Sequence, residues 1–354
     1  MAAAVAIGAS LVLSGSLLAK DGDNGKGKGQ GQGQGEGEGK KGSTPRLGST
    51  IIISQEQGVF PEGIAAKGHW LYTGSTATGT IYRAHDRGKS HRGHSHKGSG
   101  AAQPLLKDAS GPTSAVGMKI DKHGHLVVAG GGTGMAWIVD RHTGATLGKL
   151  RQPPEGRPPT GQYDGTKGTF LNDITIAKNG DAYITDSFSP TIWRIPASFL
   201  ANPTMDGVLD PWLRLEGRDS IIAYKDGFNL NGIVSWKNKY LLVVQTNTGN
   251  LYRIRISTKQ IVEVRDINIA GGDGMVLHDE RLYVVNDGAV DVLKMKKRFT
   301  RAKLRQTISS ATFDSPTTAA LNHGRLYVVN SQFGEGAAAA PPWTISIVKP
   351  NGKR

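Results

Sequence analysis

EGIAAKGHWLYTGSTATGTIYRA (Glu62–Ala84) reads as three short strands separated by two turns. Apolar and small residues run through IAA, WLYTG and TIYRA, while KGH and TATG supply turn-forming residues between them. The same grammar returns in VGMKIDKHGHLVVAGGGTGMAWIVD from Val116, NDITIAKNGDAYITDSFSPTIWRI from Asn172 and NGIVSWKNKYLLVVQTNTGNLYRI from Asn231. It returns again in DGMVLHDERLYVVNDGAVDVLKM from Asp273 and PTTAALNHGRLYVVNSQFG from Pro316. A fourth, outer strand is expected after most units, as in TLGKL and QIVEV. Six four-stranded units of roughly 40–60 residues make the chain all-β and fit a six-bladed β-propeller. A two-sheet sandwich is the competing all-β fold, but it does not need six copies of one pattern. The last unit ends near Lys349 with three strands of its own. STIIIS (Ser49–Ser54) is expected to arrive from the N-terminus as its outer strand, closing the ring and covering two open sheet edges.

Three regions follow from composition. Residues 1–19 are uncharged and largely apolar, as in a secretory signal peptide or a short membrane anchor. Residues 20–48 alternate Gly with Lys, Gln and Glu and are expected to form a disordered linker. Residues 49–354 form the propeller. The chain is therefore expected to be secreted or tethered at the cell surface, and monomeric. The absence of Cys excludes thiol nucleophiles, disulfides and Cys-ligated metals. The formal net charge of +14 is concentrated partly in His85–Gly98 and Lys294–Arg305. Neither cluster interleaves aromatics with its basic residues, so nucleic acid is not the expected partner. An anionic surface polymer is the partner such a charge favours.

The starts of the inner strands carry the chemistry. FPEGIA (Phe60–Ala65), LNDITI (Leu171–Ile176), LNGIV (Leu230–Val234) and GDGMV (Gly272–Val276) each set an oxygen-bearing side chain just before an apolar run. In a propeller those positions share one mouth of the central channel. Glu62, Asn172, Asn231 and Asp273 are therefore expected to converge as an oxygen cage with two negative charges. All-oxygen donors suit a hard divalent cation, Ca²⁺ first, with Mg²⁺ and Mn²⁺ as the alternatives. Asn and Asp before Gly are also ordinary turn formers; four of them in register around a ring point to the ion instead.

The ordered series PEG, ND, NG and DGM on six blades resembles the senescence-marker, regucalcin and gluconolactonase family over about residues 49–350. The resemblance implies a divalent-dependent lactone hydrolase, with Glu62, Asn231 and Asp273 as metal ligands. Asn172 would be a further ligand or substrate contact, with Asp173 nearby. Two positions depart from the family: Phe170 stands where sugar-lactone members often carry Arg, and Ile174 where Gly usually follows ND. Phe60, Phe170 and Phe228 flank the ligand positions, so a hydrophobic lactone or ester is expected in place of a sugar lactone.

All ten His residues fall in or beside turns on the face away from the mouth, which leaves carboxylates or metal-bound water for base chemistry. Asp273 and Asp173 are the catalytic candidates, with Asp186 and Asp287 entering the pocket from loops between second and third strands. Two long connections, 151–169 and 214–229, reach the mouth as a candidate lid through Tyr163, Asp164, Tyr224 and Lys225. The alternative function is a non-catalytic propeller whose ion ties blades together while its surface binds a partner.

Overall fold

The computed structural model describes residues 49–86, 101–105, 109–153, 168–216 and 220–350. The segments 1–48, His91, His94, His96, Tyr163 and Asp164 fall outside them. Six sheets follow one another along the chain, one for each repeat unit, each with a core of four antiparallel strands. Blade 1 runs through Pro61–Lys67, Trp70–Ser75, Ile81–His85 and Gln103–Pro104, inner strand to outer. The inner strands of blades 2 to 6 are Met118–Ile120, Leu171–Ile176, Leu230–Trp236, Met275–His278 and Pro316–Asn322.

The sequence pattern explains the stacking. Alternate residues of a strand face opposite sides of a sheet, and here both sides are covered by neighbouring blades. In Leu126–Ala129, Leu126 and Val128 pack into the seam with blade 1, and Val127 and Ala129 into the seam with blade 3. All four are fully buried. The same division recurs at every seam, so the apolar core is six clusters, one between each pair of blades. The second strands therefore read as continuous apolar runs with no solvent-facing alternation.

Thr50–Ser54 pairs antiparallel with Trp343–Val348, the third strand of blade 6, and so becomes that blade's outer strand. Ile51 and Ile53 enter the seam between blades 6 and 1 beside Trp343 and Ile345. Blade 3 adds a feature that the repeat pattern did not announce. Between its third strand Thr191–Ile195 and its outer strand Asp210–Arg214, the chain forms a short helix, Ala197–Ala201. Gly207–Val208 then pairs parallel with the outer strand of blade 2.

Candidate metal centre at the channel mouth

A β-bulge sets the position of every candidate ligand. In blade 1, Pro61 pairs with Ser75 and Ile64 with Thr73, so Glu62 and Gly63 together oppose Gly74. The same two-against-one step places Asn172 and Asp173 against Thr185, and Asn231 and Gly232 against Val244. In blade 5, Asp273 donates its N–H to the Val285 carbonyl and the Val285 N–H returns to Gly274. Blades 2 and 6 repeat the step with Val116–Gly117 and Thr317–Thr318. Glu62, Asn172, Asn231 and Asp273 thus occupy one equivalent site in four blades. A bulge re-aims the side chain it carries, here at the start of each inner strand.

The second bulge residue meets the next blade. A Cβ on Gly63 would lie 2.2 Å from the Val116 carbonyl oxygen, and one on Gly232 would lie 2.2 Å from that of Asp273. Glycine at these two positions lets neighbouring inner strands approach closely. Hydrogen bonds continue the ring: Gly117 N–H to the Asn172 carbonyl at 3.0 Å, Thr185 Oγ1 to the Asn231 carbonyl at 2.5 Å, and Thr317 Oγ1 to the Glu62 carbonyl at 3.0 Å.

Each of the four side chains keeps one buried oxygen without a protein hydrogen-bond partner: Glu62 Oε2, Asn172 Oδ1, Asn231 Oδ1 and Asp273 Oδ1. Orphaned buried oxygens are costly and rare in native proteins. Their opposite atoms are partly tied down. Asn172 Nδ2 donates to Ser187 Oγ at 3.0 Å, which directs its amide oxygen away from Ser187. Thr318 Oγ1 donates to Glu62 Oε1 at 3.4 Å. Glu62, Asn172 and Asn231 are buried; Asp273 is partly exposed as a residue, but its Oδ1 is enclosed.

The electrostatics tie the four blades together. Burial, then the charges of Asp273 and Asp173, push the Glu62 carboxyl well above the usual carboxylate range. Burial, then Asp173, push Asp273 up to about 8, against a hydrogen bond from Asn231 that pulls it down. Asp173 Oδ1 accepts from the Ile174 N–H at 2.7 Å and lies 3.5 Å from Lys119 Nζ. Three carboxylates and Lys119 leave a net charge of −2 when all are ionised, which a divalent cation neutralises. The donor chemistry and the four unpartnered oxygens therefore fit the expected ion.

The other predicted pocket residues separate into different roles. Phe170 and Phe228 meet at 5.4 Å between ring centroids, and Phe188 joins them at 5.5 and 4.7 Å. Phe188 follows the second strand of blade 3, Ala182–Asp186, and was not anticipated. Phe60 lies apart from this group and packs on Trp343 at 4.9 Å and Phe333 at 6.1 Å. Asp186 is fully buried and accepts from the N–H groups of Phe170, Phe188 and Ser189 at 2.8, 3.1 and 2.9 Å. Trp193, Gln152 and Thr169 also donate to it. It organises the loops that carry the aromatic group. Asp287 is exposed; its carboxyl sits against Gly271 and its charge acts on Asp273. Tyr224 donates its hydroxyl to the Asp186 carbonyl at 2.5 Å, and the Lys225 N–H bonds Asn229 Oδ1 at 2.8 Å.

No protein-family model and no curated protein sequence matches the chain. Solved structures do. The Malassezia sympodialis allergen Mala s 1 matches with a TM-score of 0.59 at 11% identity, over 84% of this chain and 95% of the allergen. The calcium-binding protein regucalcin from Agrobacterium tumefaciens matches with a TM-score of 0.55 at 13% identity, over 85% of this chain and 93% of its own. Virginiamycin B lyase from Staphylococcus aureus, solved with quinupristin, matches with a TM-score of 0.52 at 11% identity, over 83% and 82%. The likeness to regucalcin-type proteins holds at the level of the six-bladed fold.

Proposed function

We propose that the protein is a divalent-metal-dependent hydrolase of a lactone or related ester that carries an apolar group. The observation that supports this most is the set of four unpartnered buried oxygens at one equivalent bulge position in four blades. Ca²⁺ is the proposed ion, because the donors are all oxygen and two of the four are charged; Mg²⁺ and Mn²⁺ are the alternatives. When bound, such an ion polarises an ester carbonyl and acidifies water. Glu62, Asn172, Asn231 and Asp273 would hold it. Asp273 has the additional role of proton acceptor, because burial and the neighbouring Asp173 raise its carboxyl to about 8, within reach of a proton taken near neutral pH. Asp173, held by Lys119 and the Ile174 amide, keeps the charge balance and the orientation of its neighbours.

The aromatic group of Phe170, Phe188 and Phe228 would receive the apolar part of the substrate, which favours a hydrophobic ester over a sugar lactone. That a calcium-binding protein and a lyase are built on the same fold is compatible with such a site. We place the protein outside the cytoplasm or tethered to the surface, on the apolar residues 1–19, with its basic charge facing anionic polymer. The test is turnover of a panel of aliphatic and sugar lactones and esters, with and without chelator, on protein of measured metal content. The reading expects chelator-sensitive turnover, strongest on apolar-chain substrates. In Asp273→Asn, excess Ca²⁺ should restore binding but not turnover. Tight Ca²⁺ binding with no turnover across the panel would replace the hydrolase with a metal-stabilised binding module.

A further inference from the structure

A second set of ligating side chains lies at the seam of blades 1 and 6, at the opposite ends of the inner strands from the oxygen set. Its centre is Asp86, whose side chain is only 2% exposed and which directly follows the third strand of blade 1. His69, from the turn after the inner strand of blade 1, places Nδ1 3.2 Å from Asp86 Oδ1. His85 places Nδ1 3.6 Å from the same oxygen. From blade 6, His323 Nδ1 lies 2.5 Å from Asp86 Oδ2, and Asn322 Nδ2 donates to that oxygen at 3.2 Å. The His69 ring stacks on His85 at 5.4 Å and meets His323 at 4.8 Å. One ligand atom each of His69, His85 and Asp86 lies within 4.8 Å of the others.

A buried carboxylate needs donors, and Asn322 with one imidazole would provide them. Three imidazoles around one carboxylate exceed that need. One dication among them would give the Asp86 carboxylate and the surplus ring nitrogens a common partner. Carboxylate plus neutral imidazole is a donor set for zinc and similar transition metals, not for calcium. The side chains of His69 and His85 are 44% and 29% exposed, which leaves an approach from solvent.

We propose that His69, His85 and Asp86 bind a transition-metal dication of the zinc type. His323 and Asn322 hold the second carboxylate oxygen as outer partners. Because those partners come from blade 6, the ion would also brace the seam at which the ring closes. The test uses the full-length chain with His91, His94 and His96 replaced by Gln, since those residues can themselves bind zinc. Zn²⁺ is titrated by calorimetry, Co²⁺ binding is followed by its visible absorption, and melting is measured with and without Zn²⁺. One high-affinity site is expected, with a higher melting temperature when zinc is bound. His69→Gln and His85→Gln, both at partly exposed positions, should each weaken Zn²⁺ binding by at least about 10-fold, the loss that even an outer-shell change produces. Neither should alter Ca²⁺ binding. A parent chain that binds no Zn²⁺, or a double variant with unchanged Zn²⁺ affinity, overturns the proposal.

Discussion

The two ends of the blade 1 inner strand, Pro61–Lys67, carry opposite kinds of ligand. Beside its start, Glu62 joins two amides and a carboxylate from three other blades, and all the donors are oxygen. Beyond its end, His69 joins His85 and His323 around one buried carboxylate. The first set is left with orphaned oxygens and repelling charges. The second already satisfies its carboxylate through imidazole and amide donors. An internally unsatisfied site needs its ion more than a satisfied one does. The mouth is therefore expected to govern metal-dependent stability, and the far cluster to add to it.

The largest expected effect breaks both ends at once. A chain beginning after Ser54 loses Ile51 and Ile53 from the seam of blades 6 and 1 and exposes the edge of Trp343–Val348. Two buried Ile side chains are worth roughly 2–5 kcal/mol each. Melting should fall by about 10 °C or more, with self-association on size exclusion. Unchanged melting in a monomeric truncation would show that the strand does not close the ring.

A second effect separates the ends by pH. The folded Glu62 and Asp273 carboxyls are raised, Asp273 to about 8, by burial and neighbouring carboxylates. Unfolded carboxyls titrate near pH 4. Between those values the native, metal-free chain binds more protons than the unfolded chain, so its stability falls as pH rises from about 4 to 8. Ca²⁺ must displace those protons, and the stabilisation it confers should grow over the same window. Melting of chelated and Ca²⁺-loaded protein at several pH values checks this. A flat chelated profile would remove the raising of these carboxyls by burial and repulsion from the account.

The ring and the bulge residues show what a single chain reveals. Six repeats of strand and turn make a propeller legible, because a strand buried on both faces has few other ways to use its apolar runs. The positions of Glu62, Asn172, Asn231 and Asp273 were legible because each precedes such a run. Their bulge geometry was not, since it depends on pairing with the second strand. Ser187 meets Asn172 only through strand pairing within blade 3, and Lys119 meets Asp173 only where blades 2 and 3 dock. His69, His85 and His323 could be assigned to the far face from strand direction. Their gathering on Asp86 depends on blade 6 docking against blade 1. Phe188 carries one weak signal: it follows Asp186-Ser187 in the loop after a second strand, on the mouth side.

A smaller effect tests the wall of the mouth. Phe228→Ala removes one of three rings in mutual contact. It should lower kcat/KM for an ester with a long apolar chain by about 10-fold, consistent with about 1–3 kcal/mol of lost apolar contact. A sugar lactone should be affected less. Equal losses on both substrates would place the aromatic group outside the binding site.

The most direct measurement is a crystal structure of the Mn²⁺-soaked or Ca²⁺-grown protein, with anomalous scattering locating Mn²⁺. The account predicts one strong peak at the channel mouth, coordinated by Glu62 Oε2, Asn172 Oδ1, Asn231 Oδ1 and Asp273 Oδ1 at the roughly 2.1–2.6 Å of metal–oxygen bonds. Peaks only elsewhere, or a mouth filled by water with no metal under saturating ion, would contradict it.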